Sequence, residues 1–122
     1  MSLFGDLFKQ KEETYSDFNW IALTSVSQLD EILNNSDNKT QAIFKHSTRC
    51  GVSSMVIKQF EKQSDFNHID FYYLDLLKYR DTSNIIASKF NIIHQSPQLI
   101  VLKNKKVIAS NSHHEILSVK LN

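Results

Sequence analysis

The stretch KHSTRCGVSS, residues Lys45–Ser54, decides the fold, and it holds the single cysteine of the 122-residue chain. The apolar run QAIF just upstream predicts a buried strand, and GVSSMVIKQFEK just downstream predicts a helix. We therefore expect Cys50 at the N-terminal end of that helix. Free backbone N–H groups and the helix dipole at such an end favour the thiolate over the thiol.

A stabilised thiolate changes reactivity in two opposing ways. It is a weaker nucleophile, but it is also a better leaving group from a mixed disulfide. Cys50 is therefore suited to accept a thiol partner and to pass it on. The alternative is that Cys50 is a small buried apolar residue, as unpaired cysteines often are. The polar approach KHSTR and the glycine directly after the thiol favour the reactive interpretation.

Composition excludes several classes of function. A net charge of +1 at pH 7 predicts no affinity for nucleic acid or for an anionic membrane. One cysteine cannot form an internal disulfide, so nothing requires an oxidising compartment, and the scattered histidines lack zinc-site spacing. No stretch approaches the about 18 apolar residues of a membrane span, and no signal peptide is recognisable. The sequence predicts a cytoplasmic protein.

The rest of the chain alternates strand and helix patterns. We expect residues 1–18 to form a leader with a candidate short helix, and residues 19–122 to form one domain. Predicted strands are WIAL, QAIF, IDFYYLDL and a hairpin of QLIVL and KVIAS around the turn KNKK. The predicted helical faces are Val26, Leu29, Ile32 and Leu33; Val52, Met55, Val56 and Phe60; Ile85, Ile86 and Phe90 after an N-cap at Asp81; and Ile116, Leu117 and Leu121 in a closing helix.

This order predicts an α/β fold with a mixed central sheet flanked by helices, in the sequence β-α-β-α-β-α-β-β-α. Alternating strands and helices imply parallel pairing through right-handed crossovers, and the late hairpin adds antiparallel strands.

From residue 19 onwards, the pattern resembles the thioredoxin superfamily. CGVS is similar to the CxxC or CxxS motif that opens a helix in that family, and SPQLIVLKNKKVI is similar to its cis-proline loop and hairpin. The resemblance implies a thioredoxin-like fold in which Cys50 is the nucleophile and Ser53 stands where a resolving cysteine would be. It also implies that Pro97 is cis and that Ser96 presents backbone groups to a bound partner.

A narrower resemblance rests on IFKHSTRC, on the chain length and on the leader. These are similar to the monothiol bacilliredoxin family (YtxJ-type), which is linked to bacillithiol, a small thiol that forms mixed disulfides with protein cysteines. The chain departs from the expected pattern at Gly51 and Val52, where we expect Pro-Ile. The departure bears on the identity of the thiol partner more than on the fold.

The narrower resemblance implies a thiol-disulfide exchange enzyme that binds no cofactor and uses bacillithiol as co-substrate. The Cys50 thiolate would attack a mixed disulfide on a client protein and keep the small thiol. A second small thiol or a separate reductase would then regenerate the enzyme, because Ser53 cannot resolve the adduct. Ser53 is expected either to donate a hydrogen bond to the Cys50 sulfur or to be an ordinary residue of the first helical turn.

The residues around the thiol are candidates for binding the small thiol and the client. Lys45, His46 and Arg49 form a positive cluster that we expect to hold the carboxylates of the small thiol. His46 faces the thiol or a bound anion, or is a surface or strand-end histidine. His94 is close to Pro97 in sequence and is a candidate to border the same groove. Asp75 is either a buried carboxylate near the thiol or a residue that simply ends a strand. The predicted binding set is Arg49, Gly51, Val52, Ser96, Pro97 and His46.

Three other functions match parts of the sequence. CGVS differs at one position from the CGFS signature of monothiol glutaredoxins, which bind an iron–sulfur cluster with glutathione, but no glycine follows Gly51 to form their late glycine pair. Ser47 resembles the Ser/Thr of peroxiredoxins, although their upstream proline is absent. The remaining alternative is a thioredoxin-like interaction module without catalysis, which an unreactive Cys50 would indicate.

Overall fold

The alternation of strand and helix patterns produces a five-stranded mixed sheet with helices on both faces. The computed structural model describes residues 18–63 and 67–121, so the predicted leader lies outside the described residues except for Phe18. The elements are β1 (Trp20–Ala22), α1 (Gln28–Asn35), β2 (Thr40–His46), α2 (Gly51–Gln63), β3 (Ile69–Asp75), α3 (Arg80–Lys89), β4 (Gln98–Lys103), β5 (Lys106–Ser112) and a 3-10 helix (His113–Ser118).

The strand order is β1-β3-β2-β4-β5. β3 pairs in parallel with β1 and β2, whereas β4 pairs antiparallel with both β2 and β5. β2 is buried along nearly its whole length, as expected of a strand covered on both faces. The predicted α/β fold class is confirmed, and β2 carries the thiol loop at its carboxyl end.

Side chains of β2 alternate between two cores because successive residues of a strand point to opposite faces. Ala42 and Phe44 pack with the buried face of α2 and with Ile116 of the 3-10 helix. Ile43 packs on the other face, with Leu29 and Ile32 of α1 and Ile86 of α3. The sheet therefore lies between two apolar layers, and both layers pack against β2.

The hairpin forms where it was predicted, around a two-residue turn. Asn104 and Lys105 have φ of 52° and 62°, which matches the left-handed conformation that short hairpin turns require. The turn is hydrogen-bonded to Ser36, at the end of α1. The N–H of Asn104 donates to the Ser36 carbonyl and the N–H of Lys105 donates to the Ser36 hydroxyl, each at 2.8 Å.

The buried face of α2 differs from the predicted one. Val52 and Met55 are 39% and 54% exposed, whereas Ser53 and Ile57 are buried with Val56 and Phe60. The residues facing inward follow the spacing i, i+3, i+4, i+7 from position 53. The prediction failed because it placed no serine in the core, and this serine has buried hydrogen-bond partners.

The other predicted helices also differ in detail. The residue at the N-cap position of α3 is Tyr79, and Asp81 lies in the first turn, where its charge still complements the helix dipole. Val26 and Ile85 are exposed, and Leu33 is half-buried. The closing helix is a short 3-10 helix; Ile116 and Leu121 are buried as predicted, and Leu117 is half-buried.

Within residues 18–63 and 67–121, every helix is too short or too polar to cross a membrane.

Candidate thiol site

Cys50 lies directly before α2, at the position that caps the helix. Its carbonyl accepts the N–H of Ser54 at 3.0 Å, the first helical hydrogen bond, and its own N–H donates to the Ser47 carbonyl at 3.1 Å. The thiol is partly exposed, and no residue of the described chain hydrogen-bonds its sulfur. The first turn of α2 presents unpaired N–H groups on this side, as the sequence predicted.

Ser53 has different partners from the one expected. Its Oγ lies 2.7 Å from Nδ1 of His46 and accepts the backbone N–H of Ser47 at 3.1 Å. Ser53 is fully buried, so these contacts occupy a hydroxyl that would otherwise be an unpaired polar group in the core. They join the end of β2, the thiol loop and the first turn of α2, and they replace the expected hydrogen bond to the Cys50 sulfur.

His46 is buried at the end of β2 and is not a surface histidine. Its ring lies 5.6 Å from the ring of Tyr73, centroid to centroid. Burial lowers the pKa of His46 below 6.5, and the carboxylate of Asp75 opposes this in part. The shift favours the neutral form of the His46 ring.

Asp75 is the last residue of β3, as predicted by the interpretation that it simply ends a strand. Its Oδ1 accepts the backbone N–H groups of Leu77 and Lys78 at 3.2 and 3.3 Å. These bonds shape the turn after β3, and the carboxylate acts on His46 only through its charge.

The predicted positive cluster does not form, because Lys45 is 0% exposed. Lys45 and His46 are consecutive in β2 and point to opposite faces of the sheet. The Lys45 ammonium donates to the Ser83 carbonyl at 3.0 Å and lies 3.3 Å from Nδ1 of His94. Arg49 is exposed next to Cys50 and is the member of the predicted cluster that solvent and ligands can reach.

The loop before β4 lies beside the thiol loop. Lys45 is paired with Gln98 in the register of β2 and β4. One residue further outward, His46 ends β2 and Pro97 directly precedes β4. The peptide bond between Ser96 and Pro97 is cis, the configuration that the resemblance implied. The side-chain amide of Gln98 donates to the Ile93 carbonyl at 3.0 Å, and this hydrogen bond connects the two ends of the loop.

Gly51 and Val52 are exposed in the first turn of α2. A Cβ added at Gly51 would meet no heavy atom within 4 Å, and its φ is not positive. The glycine is therefore not required by the backbone, and it leaves the surface next to the thiol without a side chain.

The structure thus joins Cys50, Ser53 and His46 in one unit and places Pro97 directly before the adjoining strand β4. The sequence did not predict the buried partners of Lys45, which are Ser83 and His94. The nearness of His94 to Pro97 in sequence indicated weakly that His94 lies close to the site, whereas nothing in the sequence indicated a role for Ser83. Across the described ranges, no group of three or more His, Cys, Asp or Glu residues is placed to hold a metal ion.

A thiol at the start of a helix, beside a cis-proline loop and on a sheet of this strand order, defines a protein of the thioredoxin superfamily. The model of the monothiol bacilliredoxin BrxC family matches residues 21–121. The chain belongs to that family, and its general activity is that of a thiol oxidoreductase.

Solved structures agree with the fold. A proposed oxidoreductase with a thioredoxin fold is 33% identical, with a TM-score of 0.69 over 79% of this chain and 84% of that one. The thioredoxin of Schistosoma mansoni is 24% identical, with a TM-score of 0.64 over 81% and 87% of the two chains. The thioredoxin of Trypanosoma brucei brucei is 20% identical, with a TM-score of 0.64 over 80% of each chain. The last two likenesses concern the fold alone.

Proposed function

We propose that this protein removes a small thiol from mixed disulfides on client proteins through Cys50, and that the small thiol is bacillithiol. The observation that carries the proposal is a partly exposed thiol at the start of α2, without a second cysteine in the chain, in a member of the monothiol bacilliredoxin family. A cytoplasmic location belongs to the proposal, because monothiol exchange needs a reducing compartment.

The first step forms one disulfide and breaks another. The Cys50 thiolate attacks the sulfur of the small thiol in the client mixed disulfide. The bond between that sulfur and the client sulfur breaks, and the client leaves as a thiolate that takes a proton from water. Cys50 then carries the small thiol in a new mixed disulfide.

The second step needs a reductant from outside the chain. The thiolate of a second small thiol, or of a separate reductase, attacks the sulfur of the small thiol bound to Cys50. Cys50 leaves as the thiolate, and the attacking thiol is oxidised to a disulfide. Ser53 cannot replace this reductant because its oxygen has no thiol chemistry, and its contacts with His46 and Ser47 favour a role in holding the loop.

Arg49 is the residue that we expect to bind the carboxylates of the small thiol. It is exposed and adjacent to Cys50, and guanidinium groups bind carboxylates in a bidentate manner. Lys45 is not available for this purpose, because it is fully buried.

Exposed apolar side chains support docking of a client segment beside the thiol. Val52 and Met55 follow Cys50 on α2, and Ile93, in the loop before Pro97, is 82% exposed. The backbone N–H and C=O of Ser96 make no hydrogen bond within the described part of the chain, so they remain able to pair with an extended client segment.

The test is transfer of the small thiol, followed by mass spectrometry. Reduced protein is incubated with a client that carries a bacillithiol mixed disulfide. We expect the client to lose the adduct, Cys50 to gain it, and Cys50→Ala to do neither. A parallel client carrying glutathione tests the thiol: transfer from glutathione alone would contradict the bacillithiol assignment. A Cys50 that exchanges with neither would contradict the enzymatic proposal and favour an interaction module.

A further inference from the structure

The central strand β2 contains a fully buried lysine, Lys45. Lys45 is 0% exposed, and no carboxylate of residues 18–63 and 67–121 forms an ion pair with it. Burial of an ammonium group without a counter-charge destabilises the fold. Burial lowers the pKa of Lys45 from 10.5 to about 8, so the group is still mainly charged at pH 7.

The contacts of Lys45 connect three separate elements. Its Nζ donates to the carbonyl of Ser83 in α3 at 3.0 Å and lies 3.3 Å from Nδ1 of His94 in the loop before β4. The Ser83 hydroxyl lies 3.4 Å from the same ring nitrogen. Burial, and then the charges of Lys45 and Arg80, lower the pKa of His94. These effects favour the neutral ring, and in the tautomer that carries its proton on Nε2 the Nδ1 atom accepts a hydrogen bond from the ammonium.

The position of His94 gives this contact a consequence for the thiol site. His94 lies three residues before Pro97. At the ends of this loop, the amide of Gln98 donates to the Ile93 carbonyl and the N–H of His113 donates to the Pro97 carbonyl, each at 3.0 Å, so the His94 contact holds its middle. Lys45 thus anchors the loop to the same strand end from which His46 holds the thiol loop through Ser53. Two consecutive residues of β2, facing opposite sides, hold the two loops that border Cys50.

We propose that Lys45 is a positioning residue for thiol exchange: through His94 it holds the loop of residues 93–97 where Ser96 and Pro97 can receive a client beside Cys50. The proposal rests on the proposed function, since it concerns the client side of that reaction. Lys45 does not touch the substrate. Its loss should therefore affect reactions that use the loop and spare reactions that need only the thiol.

Lys45→Met tests this separation. Methionine fills the space without a charge, so we expect a melting temperature equal to or above that of the wild type. Alkylation of Cys50 by iodoacetamide, which does not involve the loop, should proceed at the wild-type rate. Exchange with a client mixed disulfide should fall about tenfold, because small displacements of positioning groups reduce rates by such factors.

A matched pair at His94 gives an independent measurement. His94→Leu removes the acceptor and should lower client exchange as Lys45→Met does. His94→Asn places an amide oxygen near the position of Nδ1 and should restore most of the rate. The double variant Lys45→Met/His94→Leu should be no slower than either single variant, because both break one contact.

Three outcomes would overturn the inference. Wild-type client exchange in a folded Lys45→Met protein would show that the contact does not position the loop. An equal loss of alkylation and exchange would place the effect on the thiol itself. If Lys45→Met does not fold, equal rates for His94→Leu and His94→Asn would refute the acceptor role. A wild-type protein that exchanges with no mixed disulfide would instead contradict the proposed function itself, so the failure of the inference and the failure of the proposed function are distinguishable.

Discussion

Nδ1 of His46 lies 2.7 Å from Oγ of Ser53, so the last residue of β2 is bonded to the first turn of α2 across the thiol loop. The loop between them contains the turn that Cys50 closes on the Ser47 carbonyl. A serine at the place of a resolving cysteine therefore has a structural use in this chain. Its hydroxyl fixes the geometry in which the thiol is presented.

Ser53→Ala should destabilise the protein. The substitution leaves the Ser47 N–H and the His46 ring nitrogen without a partner in a buried site, which costs about 1–3 kcal/mol. Chemical denaturation of wild type and variant measures the difference in unfolding free energy. Ser54→Ala is the control, because Ser54 is half-buried and makes no side-chain hydrogen bond with the described residues. Equal effects of the two substitutions would contradict the role of the Ser53 hydroxyl.

His46 should make stability depend on pH below about 6.5. Its pKa is lowered below 6.5 in the folded protein, so the unfolded chain binds more protons in that range, and stability falls as the pH drops from 6.5 to the folded pKa. Asp75, the Tyr73 ring and the Ser53 hydroxyl surround the group. His46→Asn keeps an acceptor near Nδ1 but does not titrate, so its unfolding free energy should fall less steeply between pH 7 and 5.

The comparison with His46→Asn isolates His46 from His94, whose pKa is also lowered and which is present in both proteins. Parallel curves of unfolding free energy against pH for wild type and variant would show that His46 does not contribute.

Arg49→Gln should weaken exchange with bacillithiol more than exchange with an uncharged disulfide. Loss of a carboxylate contact in a partly exposed site should reduce the rate about three- to tenfold. Lys58→Gln, which removes an exposed charge further along α2, is the control for net charge. The ratio of the two exchange rates is the quantity to compare, and an unchanged ratio in Arg49→Gln would refute carboxylate binding there.

Gly51→Pro should stabilise the protein and keep its activity. No atom lies within 4 Å of an added Cβ, and proline is favoured at the first position of a helix. Restricting the unfolded chain in this way contributes about 0.4–1 kcal/mol to the unfolding free energy. Thermal unfolding and client exchange measure both properties. A destabilised variant, or one that exchanges more slowly, would contradict this prediction.

The fold was predictable because its signals are local. Alternating strand and helix periods, the KNKK turn and the proline before β4 indicated the architecture, and the motif around Cys50 located the thiol. The errors arose where a polar residue is buried. Ser53 shifted the inward face of α2, and Lys45 was assigned to a surface cluster although its neighbour His46 must face the other way. Only tertiary partners such as His94 and Ser83 reveal that such residues can be accommodated inside.

Trp20 provides the chain with its own optical probe. It is the single tryptophan; its ring stacks on Phe60 at 6.3 Å, centroid to centroid, and its Nε1 donates to Glu61 at 2.6 Å. Both partners belong to α2, the helix that Cys50 begins. Fluorescence of this one indole should therefore report movement of that helix when Cys50 takes up or releases a thiol, so turnover could be followed in real time without any attached label.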